Sequence, residues 1–176
     1  MIKTKNDFLK AVKGKEFNYN VLALNHAHYS DIIDYIYHEG HRMQGSDEFS
    51  QKEFVENVRQ KYIEHFCMIE KLFNLNEQLD KDIEVCVNFK EEGLDINLPK
   101  VPNWYDELFI KGELSFKITE NITESWDESK YESIRKEARD EAFNIGCNNL
   151  KDMTDDEKEK YFKRQSFFKK LDDLEG

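Results

Sequence analysis

The sequence predicts an α+β domain: a small antiparallel sheet with helices packed mainly on one of its faces, built around a long central helix at about 50–79. Three observations lead there. From Phe54 onward apolar residues recur at three- and four-residue spacing, which is the helical period. From Ile83 to Leu98 the period falls to two, which is the strand period. The 176 residues include only 7 Gly and 2 Pro, too few for a many-turned all-β chain, and their 13% aromatic content excludes a disordered one. A single domain is expected over 1–176, with residues from about 125 to 176 as a C-terminal helical extension.

The elements follow in order. Residues 4–13 read as a short helix with Phe8, Leu9 and Val12 on one side, closed by Gly14. Residues 16–24 alternate and then turn continuously apolar, which predicts a strand buried in its second half. Ser30 caps a helix to about Gln44, with Ile32, Ile33, Ile36, Tyr37 and Met43 on one face and Gly40 as its weak point. Ser50 and Glu53 form a capping box that starts the long helix, whose stripe is Phe54, Val58, Tyr62, Phe66, Ile69, Phe73 and Leu79. Ile83, Val85, Val87 and Phe89, then Leu94, Ile96 and Leu98, predict a hairpin that turns at Glu91-Glu92-Gly93 and ends at Pro99 and Pro102. Leu114, Phe116 and Ile118 mark another strand near 111–119. The central helix is expected to lay its stripe on the apolar face of strands 83–89 and 114–118. Ser125 caps a further helix that stops at Gly146, and Thr154 with Glu157 makes a second capping box for the terminal helix.

Cys67, Cys86 and Cys147 are odd in number and lack C-x-x-C spacing, so neither a disulfide framework nor a zinc ribbon is expected. The start of the chain predicts no secretory signal, and no run approaches the ~18 apolar residues of a membrane span, which together point to the cytoplasm and to no membrane partner. Lysine-rich and asparagine-rich usage suggests an AT-rich genome, as in a low-GC bacterium or its phage.

Catalytic signatures are absent. His38-Glu39-Gly40-His41 does not have the spacing of H-E-x-x-H, and no G-x-S-x-G, Walker A or G-x-G-x-x-G occurs. The one chemical cluster is histidine. His26 and His28 follow the expected strand, and His38 and His41 lie at i, i+3 on the expected helix, so two pairs flanking one helix form a candidate zinc site of a metal-dependent hydrolase. Asp31 or Glu39 would add an oxygen ligand, and no other cofactor is expected. The segment His26-Ala27-His28-Tyr29-Ser30-Asp31 is similar to the H-x-H-x-D-H metal loop of metallo-β-lactamase-fold hydrolases. Ser30 and Asp31 depart from that loop at its Asp and third His, and only about 20 residues precede it. His65 falls inside the apolar stripe of the long helix, where a histidine is ordinarily a boundary residue.

Charge offers a different reading. The chain carries a net −11, which excludes nucleic-acid binding by bulk charge. Residues 1–20 hold five Lys against Asp7 and Glu16, a net of +3, whereas 91–141 hold 7 basic and 14 acidic residues, a net of −7. Glu91, Glu92, Asp95, Asp106, Glu107, Glu113, Glu120, Glu124, Asp127 and Glu128 would give a face that imitates nucleic-acid phosphates, with Trp104, Tyr105 and Trp126 as anchors. The partner such a face fits is a larger basic, nucleic-acid-binding protein or complex. In size, acidity, composition and lack of catalytic motifs the chain resembles the small acidic phage proteins that disarm bacterial defence, the anti-CRISPR and anti-restriction proteins. That resemblance implies a non-enzymatic inhibitor of a nucleic-acid-handling complex such as a CRISPR effector. A structural subunit of a phage or cellular assembly is the remaining expectation.

Overall fold

Helical periodicity, not alternation, governs the structure. The computed structural model describes residues 1–17, 19–43, 45–81, 88–90, 93–95, 117–118, 128–147, 150 and 153–175. Five helices carry these residues: α1 (Lys5–Val12), α2 (Tyr19–Arg42), α3 (Glu48–Leu72), α4 (Glu128–Cys147) and α5 (Asp155–Glu175). Extended pairing among them is confined to an isolated bridge between Ile2 and Leu79 and four short pieces: β1 (Glu16–Phe17), β2 (Asn88–Lys90), β3 (Gly93–Asp95) and β4 (Lys117–Ile118).

The expected α+β class is therefore corrected to an all-α architecture. Strands β1 and β4 pair in parallel over two residues each, and β2 and β3 pair antiparallel over three, with Asn88 opposite Asp95 at the expected hairpin. Two-stranded stubs of this size present no face on which a helix can bury its stripe. The rest of the expected strands at 83–98 and 111–119 lies outside the described residues. The stripe of α3 expected on a sheet is covered by other helices instead: Phe8 of α1 meets Phe73 edge-on at 6.0 Å, and Ile32 and Ile36 of α2 and Ala138 and Ala142 of α4 join the same buried cluster.

Residues 19–42 account for much of the difference. The apolar run Val21-Leu22-Ala23-Leu24 fits a buried strand or a buried helix equally well. It continues into a buried row of Asn25, His28, Ile32 and Ile36 at spacings of three and four, so strand and helix merge into the single helix α2. Ser30 sits inside that helix rather than at its cap.

Helix α3 is the hub. It is buried on more than one side, with Phe54, Val58, Tyr62, Ile63, Phe66, Met68 and Ile69 all in the core. Its cap is Asp47, whose carboxylate accepts from the Ser50 N–H at 2.8 Å and from the Ser50 hydroxyl at 2.9 Å. The expected Ser50–Glu53 box does not form, because Asp47 already takes the Ser50 amide. The helix ends at Leu72, short of Leu79: Asn74 turns into the left-handed region at φ 47°, which asparagine tolerates. The Lys15 ammonium then caps the carbonyls of Phe73 and Asn74 at 3.2 and 2.6 Å. Beyond the turn, Ile2 pairs with the Leu79 segment through Ile2 N–H to the Gln78 carbonyl at 2.8 Å and Asp80 N–H to the Ile2 carbonyl at 3.0 Å.

Two capping boxes do form, the expected one at Thr154–Glu157 and one at Thr4–Asp7 that adds to the expected first helix. At α1 the Thr4 hydroxyl accepts from the Asp7 N–H and the Asp7 carboxylate accepts from the Thr4 N–H, at 3.2 and 3.0 Å. At α5 Thr154 and Glu157 exchange the same two bonds at 3.3 and 3.2 Å. Helix α4 packs along α3 through small residues. A Cβ on Gly146 would fall on the amide end of Gln60, so glycine there lets that side chain lie against α4. Helix α5 docks by its first half, with Tyr161 buried, and leaves Phe167, Phe168, Leu171 and Leu174 exposed.

Candidate functional site

The four histidines of the expected metal cluster all lie on α2, and they do not converge. His26, His38 and His41 are exposed, whereas His28 is buried. Ten and thirteen residues of helix separate His38 and His41 from His28, roughly 15 and 20 Å along the axis. Two pairs on a strand end and a following helix would have folded toward each other, but one continuous helix holds them apart.

His28 meets a different histidine, His65 of α3. Their Nδ1 atoms are 2.8 Å apart and their rings stack with centroids at 5.1 Å and an interplanar angle of 13°. The Glu64 carboxylate lies 3.6 Å from His28 Nε2, and the Tyr29 ring lies 5.9 Å from that of His65. Complete burial, with the His28 ring as a second cause, holds the His65 imidazole well below its ordinary pKa. The geometry suits a buried structural hydrogen bond between the rings, one donating and the other accepting.

Among the described residues, one trio of metal-donor atoms lies within 4.8 Å of one another: Cys67, Glu70 and Glu141. Its chemistry is that of an ion-pair cluster between α3 and α4. Glu70 accepts from the Leu79 N–H at 2.7 Å and from the Lys81 ammonium, and Glu141 faces the Lys71 ammonium at 3.5 Å. Burial pushes the Cys67 thiol up to about 12, so without a metal it is a protonated thiol at neutral pH.

A groove of about 580 Å³ lies between α2, α3, α4 and α5. Asn57 organises one wall. Its Oδ1 accepts from the Gln165 amide at 3.0 Å and from the Tyr161 hydroxyl at 3.3 Å, and its side chain also bonds the Tyr35 hydroxyl. Burial raises the Tyr35 phenol to about 12 despite that bond. Glu53 is 8% exposed, and its Oε1 lies 3.2 Å from the Arg164 guanidinium. Desolvation raises the Glu53 carboxyl, with Arg164 opposing the rise. Apart from Glu53, expected only as a capping residue, these side chains do not stand out in the sequence, because an apolar stripe marks one face of α3 and leaves open what covers the others. The available signal was a polar row at helical spacing, Glu53, Asn57, Gln60 and Glu64, on a helix buried on more than one side.

Of the expected partner-binding residues, Asp95 is the last residue of β3 and Glu128 the first of α4. Glu91, Glu92, Trp104, Tyr105, Asp106, Glu107, Glu113, Glu120, Glu124, Trp126 and Asp127 lie outside the described residues. No helix among the described residues is long and apolar enough to cross a membrane. Comparison of the chain with protein-family models, with curated proteins and with solved structures returns no match.

Proposed function

We propose that the chain is a non-enzymatic interaction protein that presents residues 91–128 as an acidic working face to a basic, nucleic-acid-binding protein and inhibits it. A CRISPR effector is the type of partner this face fits. The observation that carries the reading is where the excess charge sits. Residues 91–128 hold ten acidic side chains against three lysines, −7 of the chain's −11. The acids of the helices are matched locally: Glu157 with Lys52 at 3.1 Å, Glu53 with Arg164 at 3.2 Å, Asp140 with Lys169 at 3.4 Å and Glu141 with Lys71 at 3.5 Å. A net surplus of one sign concentrated in one stretch of sequence is a source of field for recognition, and such a field steers encounter with a basic groove. The test is capture from bacterial lysate on the immobilised chain, with release by salt and by duplex DNA. The expected result is a nucleic-acid-binding protein that both salt and DNA displace. Capture of nothing, or of proteins that DNA does not displace, overturns the reading.

A further inference from the structure

The groove between α2, α3, α4 and α5 holds polar groups that the fold itself leaves uncommitted. Its floor is the row on α3 that runs Glu53, Asn57, Lys61 and Glu64, with successive spacings of four, four and three, which place these residues along one side of the helix. Burying such side chains is costly unless their polar atoms find partners. Two of them fall short. Glu53 gives one oxygen to Arg164, but its Oε2 accepts no hydrogen bond among the described residues. Lys61 sits about 12 Å further along the axis, at 1.5 Å per residue. Its ammonium lies over the Tyr35 ring at 4.4 Å and has no carboxylate within ion-pair distance among the described residues. Phe168 of α5 also lines the groove, with 48% of its surface left in water.

From these groups we propose that the groove binds a mononucleotide, with the base edge at Glu53, the base ring on Phe168 and the phosphate at Lys61. Arg164 already balances the charge of Glu53, so the remaining oxygen calls for a neutral N–H donor rather than a second cation. The edge of a nucleobase supplies one. Lys61 calls for an anion, and an aromatic side chain half in water is a platform on which any base can stack. The volume falls within the range of about 300–1,000 Å³ in which small-molecule sites occur. A free amino acid fits less well, because its ammonium would compete with Arg164 for the same carboxylate.

The experiment is calorimetric titration of the full chain with AMP, GMP, CMP and UMP, with the corresponding nucleosides, and with inorganic phosphate. At least one monophosphate is expected to bind saturably at one site, its nucleoside at least tenfold more weakly. Lys61→Ala and Phe168→Ala are each expected to lower that affinity about tenfold, the size of one charge-assisted hydrogen bond or one stacked ring. Phe168→Ala should keep the parent's melting temperature, because Phe168 is exposed; Lys61→Ala also gives up the ammonium's contact with the Tyr35 ring, so its binding is compared at a temperature where melting shows the variant fully folded. Overturning results are no saturable binding by any monophosphate, a nucleoside or phosphate alone binding as tightly, or both variants binding as the parent does. No residue that lines the groove falls within 91–128, so nucleotide binding and partner capture are read on different residues and either can fail without the other.

Discussion

His28 and His65 share a single position for a proton: with their Nδ1 atoms 2.8 Å apart, one ring donates and the other accepts. The pair joins α2 to α3 in the core, and its bond requires that at least one ring keep a lone pair on Nδ1. The depressed pKa of His65 fixes the sign of the pH dependence. Above the unfolded value near 6.5, neither state binds a proton at this group and its contribution is complete. As pH falls below that value the unfolded chain takes up a proton that the folded chain refuses, and stability falls, by at most about 1.4 kcal/mol per pH unit. Urea unfolding at pH 7.5 and 5.5 should show the loss. A His65→Phe variant should show a shallower decline whatever its absolute stability, and an equal slope in parent and variant would count against the assignment.

Asn57 serves three side chains at once, so its loss should loosen α5 selectively. Asn57→Ala leaves Tyr161 and Gln165 without their acceptor. The expected cost is about 1–3 kcal/mol, the penalty for unsatisfied polar groups. Amide hydrogen exchange should speed up in α5 and remain near the parent rate in α1. Uniform acceleration throughout would show that α5 is not a separable layer.

Gly146 and Gln60 should be energetically coupled. Alanine normally exceeds glycine inside a helix by roughly 0.5–1 kcal/mol. In the parent, the new methyl meets the Gln60 amide, which must move aside, so Gly146→Ala should gain less than that amount or lose stability. In a Gln60→Ala background the full gain should return. Thermal melts of the four proteins give the cycle, and strict additivity would rule out the contact.

Charge reversal should separate a site from a net-charge effect. Asp106, Glu107 and Glu113 changed to Lys should abolish capture of a basic partner. Asp155 and Asp156, both exposed on the first turn of α5, are the control, compared with the double reversal of Asp106 and Glu107 so that the change in net charge is equal. Glu157 is excluded from that control because it closes the Thr154 capping box and pairs with Lys52. Reversal at the first turn of a helix costs up to about 1 kcal/mol per residue at exposed positions, so melting temperatures must accompany the binding data. Loss of capture in both variants would mean that total charge, and no particular face, carries the interaction.

Local signals in the chain determined what local physics can decide. The capping pair Thr154–Glu157 was legible because it is closed within four residues. The central helix and most of its buried stripe were legible because apolar spacing records one face directly. The excess of acid in 91–128 is likewise a property of the sequence alone. Tertiary structure decided what local patterns leave ambiguous. Whether Val21–Leu24 lies in a strand or a helix depended on what covers it, and α2 and α3 packed together settled it as helix. The same packing separated the histidines of α2 and turned His28 toward His65, 37 positions away. It also buried the polar side of α3 beneath α4 and α5, making a groove from residues that a helical wheel assigns to solvent. An amphipathic pattern shows one face of a helix, but a helix at the centre of a bundle has more than one buried face, and its neighbours determine the others.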